Sequence, residues 1–129
     1  MMRQHTDATA GADARVDQLI SLGAREVGDS CLVTVAGEID MVTTPNLRAF
    51  LQQQLEQVGS LLVIDLREVK FLGSSGLAVL VEILGTARER QLGLRLVCNS
   101  REVTRPLEAT GLTELFEIHS DPDTALAAG

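Results

Sequence analysis

Three features of the sequence predict an α/β domain, a single-layer mixed sheet of about five strands flanked by about four helices. Two extended runs, residues 18–27 and 31–36, are separated by Gly28-Asp29, a dipeptide that closes a hairpin, so the first two strands are expected to be antiparallel. The run Leu61-Leu62-Val63-Ile64 is aliphatic at every position, as suits a strand covered on both faces or lying at the centre of a parallel sheet. Segments of helical periodicity separate the later strands, which turns the connections into crossovers and makes those strands parallel.

Each element has its own signal. Thr44-Pro45 supplies an N-cap and a proline at the first helical position, and Leu47, Phe50, Leu51, Leu55 and Val58 recur at helical spacing up to Gly59. After the aliphatic strand the chain runs through residues 65–72 into Gly73-Ser74-Ser75-Gly76. A long helix follows, with Leu77, Leu80, Val81, Leu84 and Ala87 on one stripe, closing near Gln91. Residues 94–98 form the next strand, 101–110 a helix ended by Gly111, and 115–118 a last strand, while Asp121-Pro122-Asp123 opens a short terminal helix. Residues 1–17 are small, polar and aperiodic and read as a disordered arm, which leaves 18–129 as one folded domain.

Composition narrows the function. The 129 residues are 45% hydrophobic but only 2% aromatic, so the core is aliphatic and no stacking platform for single-stranded nucleic acid exists. Eleven basic side chains face eighteen acidic ones, a net charge of −7 that opposes the electrostatics of duplex binding. No direct nucleic-acid partner is expected. No apolar run is long enough to span a bilayer and the N-terminus lacks the apolar middle of a signal peptide, so no membrane partner and a cytoplasmic location are expected. Cys31 and Cys98, both among aliphatic residues, read as packed, reduced thiols; a redox pair is the alternative, and neither forms half of a metal site. There is no G-x-x-x-x-G-K-[ST] loop, and no cofactor is assigned.

The informative segment is Gly73-Ser74-Ser75-Gly76, which feeds the longest helix. Ser74 has three readings. As an N-cap its hydroxyl would accept a first-turn N–H, a contribution of about 1 kcal/mol. As a nucleophile it would need the G-x-S-x-G elbow, where Leu77 stands instead of glycine, and a base, for which only His5 and His119 exist. An enzyme is therefore not expected. As a phosphoacceptor, with Ser75 as second choice, it would place about −1.5 to −2 of charge at the positive end of its own helix, which the fold tolerates and a neighbouring interface does not. Val79 falls away from the apolar stripe on a helical wheel and Ala78 lies on the opposite flank, so both are expected at the surface beside the serines.

Gly37-Glu38-Ile39-Asp40 after a strand, Asp65-Leu66, the run Val69-x-Phe71-Leu72-x-Ser74-Ser75-Gly76-Leu77, and Thr110-Gly111-Leu112 to Phe116 together resemble the STAS domain of bacterial anti-sigma factor antagonists, over residues 19–126. The resemblance implies the STAS fold and a partner switch. The antagonist binds an anti-sigma factor that is itself a GHKL-type serine kinase, and so releases a sigma factor; phosphorylation ends the contact and a PP2C-type phosphatase resets it. The family's phosphoacceptor falls on Ser74. The resemblance also implies that the acidic loop of Glu38 and Asp40 lies beside that serine and touches the partner. Because loops held by a rigid scaffold carry function and small apolar residues flank the switch, the partner-binding surface is expected at Glu38, Asp40, Thr43, Thr44, Gly73, Ser75, Gly76, Val79 and Glu82. A STAS adaptor that is never phosphorylated, in a stress-signalling or transporter complex, is the alternative. Two departures stand out: Gly73 replaces the family's usual Asp, removing a carboxylate and adding backbone freedom, and Pro106 replaces an apolar residue and is expected to delay its helix to Thr104.

Overall fold

The computed structural model describes residues 18–127, and the predicted arm, residues 1–17, lies outside them. Five strands form one sheet in the order β1-β2-β3-β4-β5. These are β1 (Ile20–Val27), β2 (Ser30–Ile39), β3 (Leu61–Leu72), β4 (Gly93–Val97) and β5 (Glu117–His119). The helices are α1 (Thr44–Gln57), α2 (Ser74–Glu89), α3 (Arg101–Ala109) and α4 (Pro122–Ala127). A short 3-10 turn, Leu112–Glu114, precedes β5.

The hairpin forms as the Gly28-Asp29 dipeptide predicts. Val27 pairs with Ser30, and β1 runs antiparallel to β2 without a break in register from Ile20↔Gly37 to that pair. Gly28 takes φ +60° while Asp29 does not have positive φ, the pattern of a type II′ turn with glycine first. Gln18 and Leu19 are helical, so β1 starts at Ile20 rather than at Gln18. The remaining pairs are parallel.

Burial follows the two-residue alternation of the strands. On one face Val33, Val35, Leu62, Ile64, Leu66 and Leu96 join Leu47, Leu51 and Leu55 of α1, Leu80, Ile83 and Ala87 of α2, and Val103 and Leu107 of α3. On the other, Leu32, Leu61, Val63 and Val97 pack on Ala125 of α4. Leu61 to Ile64 are thus covered on both sides, the reason no polar residue interrupts them.

Four local expectations are corrected. β3 does not stop after Ile64 but continues to Leu72, because Ala36 to Ile39 of β2 keep pairing with Glu68 to Leu72. Along α2 the buried residues include Val79 and Ile83, and Val81 is the exposed one: α2 packs against both the sheet and α1, so its buried arc is wider than a single stripe. The last strand is shorter than the aliphatic pattern suggested, since Leu115 and Phe116 belong to the turn before it. Pro106 does not delay α3. The N–H groups of Val103 and Thr104 already bond Ser100 O, at 3.2 and 2.9 Å, and the bond lost at Pro106 leaves only the carbonyl of exposed Glu102 to water.

Candidate functional site

Two register shifts shape the end of β2, between Thr34 and Ala36 and between Gly37 and Glu38. Gly37 adopts φ +107°, and the space beside its Cα is taken by the Leu19 carbonyl, so only glycine fits the second shift. These irregularities carry β2 forward until Ile39 pairs with Leu72. The ladder then gains one more bond: Gly73 N–H donates to Ile39 O at 2.9 Å. The loop after β2 and the serine turn after β3 are therefore joined by backbone, at the end of the sheet where the parallel strands present their C-termini.

The loop is stiffened from within. Asp40 Oδ1 accepts the N–H groups of Val42 (2.9 Å) and Thr43 (3.1 Å), while Thr43 Oγ1 accepts Asp40 N–H (2.9 Å) and donates to Glu38 O (2.9 Å). Thr43, not Thr44, is the cap residue of α1, so Pro45 stands at the second helical position rather than the first, still within the turn whose N–H groups have no helical partner. Its hydroxyl is spent on the loop, so it gives no bond to the helix.

The serine turn departs from the N-cap reading. Gly73 is the N-cap of α2, at φ −90° and ψ 177°, and Ser74 is already the first helical residue. Gly73 O accepts Gly76 N–H at 3.0 Å and Leu77 N–H at 3.1 Å. Ser74 is exposed and Ser75 half-buried, so both hydroxyls stand at the helix end where the first N–H groups have no partner inside the helix. The extended backbone at Gly73 is open to any residue; the conformational freedom expected from glycine there is not used. An added Cβ would meet Phe71 Cε2 at 3.1 Å, an exposed ring that can move.

Burial sorts the nine residues of the expected binding surface. Glu38, Asp40, Gly73, Ser75 and Glu82 reach solvent to differing degrees. Thr43, Thr44 and Gly76 are buried and support the surface from beneath. Val79 is fully buried, which overturns its expected exposure: it belongs to the main core, and Ala78 alone of that pair is exposed. Glu82 is held across the helix pair, its carboxylate accepting from Arg48 Nε at 3.0 Å and Gln52 Nε2 at 3.1 Å.

The sequence reading missed the exposed apolar side chains on the two segments that the Gly73–Ile39 bond joins. Met41 is 81% exposed, Val42 54% and Phe71 52%, the most exposed large apolar residues among those described. Met41-Val42 sit inside a tight polar turn, and large apolar residues in a turn that cannot bury them are a signal legible in principle. No group of three or more His, Cys, Asp or Glu among the described residues has metal-binding geometry, and none of the helices described is long and apolar enough to cross a membrane.

This fold, with its loop pair at one end of the sheet, defines a class of domain. The STAS domain model matches residues 21–125, and the chain belongs to the STAS domain family. It is 40% identical over 86 residues to the anti-sigma-B factor antagonist of Listeria monocytogenes, covering 67% of this chain and 75% of that protein. It is 31% identical over 99 residues to the anti-sigma-B factor antagonist of Bacillus subtilis, covering 77% of this chain and 90% of that one. Among solved structures, an anti-sigma factor antagonist from Mycobacterium paratuberculosis superposes with a TM-score of 0.80 at 34% identity, over 84% of this chain and 92% of that chain.

Proposed function

We propose that this protein is an anti-sigma factor antagonist whose binding surface is gated by phosphorylation of Ser74. The carrying observation is the backbone bond from Gly73 to Ile39, which ties the residue before an exposed serine at a helix N-terminus to the strand end that leads into the loop bearing Met41 and Val42. The names of the relatives support the role. The partner is an anti-sigma factor, here read as a GHKL-type serine kinase; binding it frees a sigma factor, and a PP2C-type phosphatase restores the unphosphorylated form.

The physical logic is one of contrast. An apolar rim formed by Met41, Val42 and Phe71 suits a dry contact, while Glu38 and Asp40 set its sign. A phosphate of about −1.5 to −2 charge on Ser74 would be stabilised by the helix N-terminus, so the fold persists, yet it would be stranded in any apolar contact and would repel acidic groups of a partner. Ser74 is favoured over Ser75 because it is the more exposed of the two.

Incubation with the cognate anti-sigma kinase and ATP, followed by phosphopeptide mapping, is the test. Phosphate on Ser74, absent from Ser74→Ala, is expected. Phosphate that survives Ser74→Ala and disappears in Ser75→Ala would move the switch one residue, and binding to the anti-sigma factor without any phosphorylation would favour the adaptor reading.

A further inference from the structure

The two edges of the sheet differ. β5 is three residues long and offers little to a new strand, whereas β1 has eight residues, no proline, no bulge and an unbroken register. Among the described residues β1 pairs only with β2. In a two-residue hairpin the residues flanking the turn, Val27 and Ser30, exchange both ladder bonds. Bonding to β2 therefore recurs at Arg25, Gly23 and Ser21, and the N–H and C=O groups of Ile20, Leu22, Ala24 and Glu26 face outward.

We infer that β1 is a docking edge for a second copy of this chain, pairing antiparallel with β1 of the partner about a two-fold axis at Gly23. The strand is complementary to itself in this register. Leu22 meets Ala24 of the partner and Ile20 meets Glu26 of the partner, so every outward N–H and C=O from Ile20 to Glu26 finds one of the other copy. Arg25 falls opposite Ser21 of the partner. Centring one residue nearer the turn, on Ala24, sets Ile20 against Gly28 of the turn and leaves its outward groups unmatched; centring on Arg25 or Glu26 sets like charges directly opposite each other, which destabilises a ladder. Pairing toward the other end shortens the overlap. Overlap and charge together select the register centred on Gly23, and Leu22, already packed on the main core while half-exposed, would be covered by Ala24 from across the axis. The five-stranded sheet becomes a continuous ten-stranded one, with Ser74 on the far side of β2 and β3 in each copy and left open. The inference does not rest on the phosphorylation reading.

The register makes a specific demand on cross-linking. Gly23 lies opposite itself as a non-bonded pair, with Cα atoms about 4.5 Å apart, within reach of a disulfide. A Cβ on Gly23 meets only the Thr34 hydroxyl, at 3.1 Å, which can rotate away. The full chain, examined by sedimentation velocity over a hundredfold range of concentration, is expected to shift from one to two chains. Ala24→Pro removes an outward N–H that β2 does not use and is expected to abolish the dimer with an unchanged circular dichroism spectrum. Gly23→Cys is expected to form an intermolecular disulfide on mild oxidation, and Glu26→Cys, displaced from its own copy in this register, is not. A wild-type chain that remains a monomer throughout, a dimer indifferent to Ala24→Pro, or cross-linking of Glu26→Cys as fast as Gly23→Cys would each overturn the proposal.

Discussion

Ile39 fills the space that a side chain on Gly76 would need. A Cβ built on Gly76 collides with Ile39 Cγ2 and comes within 2.8 Å of Leu72 Cδ1, and both of those side chains are buried. The first turn of α2 can lie on the end of β2 only because residue 76 has no side chain, and that contact holds Ser74 against the loop of Glu38 and Asp40.

Gly76→Ala is accordingly expected to destabilise the fold by about 1–2 kcal/mol, overpacking outweighing the better helix propensity of alanine. Chemical denaturation measures it. In combination with Ile39→Ala the loss should be smaller than the sum of the two single losses, since the residues touch.

Because Gly73 and not Ser74 is the helix cap, Ser74→Ala should change stability by less than about 0.5 kcal/mol. Ser74→Asp should stabilise by about 0.3–1 kcal/mol, as the first turn of α2 contains no acidic residue to complement the helix dipole. Thermal unfolding at low and high salt distinguishes the dipole contribution, which salt weakens. Against an anti-sigma factor the same variants should part: full affinity for Ser74→Ala and reduced affinity for Ser74→Asp by calorimetry.

Gly85 sits in the interior of α2, exposed, with nothing within 4 Å of a Cβ placed on it. Gly85→Ala should therefore stabilise by about 1 kcal/mol, the helix propensity difference alone. A lower denaturation midpoint would show that the backbone there is under a constraint that alanine cannot meet.

Burial pushes the thiols of both Cys31 and Cys98 up from their ordinary value. Both should resist alkylation by iodoacetamide at pH 8 in the native state and react readily once unfolded. Cys31 lies on β2 and Cys98 just past β4, so β3 separates them by about 9.5 Å across the sheet, beyond disulfide reach. Mass spectrometry of the unreduced, air-exposed protein should find no Cys31–Cys98 bond.

The Glu117 carboxyl is held below its ordinary value, first by the hydrogen bond with His119 at 2.9 Å and then by Arg95, whose Nε lies 2.9 Å away. A depressed folded-state value means that the unfolded chain takes up protons first, so the stabilisation is present above the ordinary glutamate range and is lost as pH falls through the folded value. Glu117→Gln should flatten the decline in thermal stability on acidification through that range, and leave most of the curve intact because the group is half-exposed.

The sequence by itself determined the class of fold, and for local reasons. The Gly28-Asp29 turn, the unbroken aliphatic run at Leu61 to Ile64 and the periodicity of the helices act between near neighbours, so strand orientation followed from them, while the sequential strand order was read only in the structure. It also marked Ser74, because a serine pair between glycines at the start of a helix is a local pattern. What only the tertiary structure decided is which side chains surround that serine. A helical wheel gave α2 one buried stripe, but α2 is packed from two directions, so Val79 went inside and Val81 stayed out. Thr43 and Thr44 looked available in a loop and were taken up beneath it, while Met41, Val42 and Phe71 were left at the surface. Exposure at a junction of loops depends on which strand ends beside which. Here that was set by two register shifts in β2 and by the fit of Ile39 over Gly76, contacts between residues tens of positions apart that no local pattern encodes.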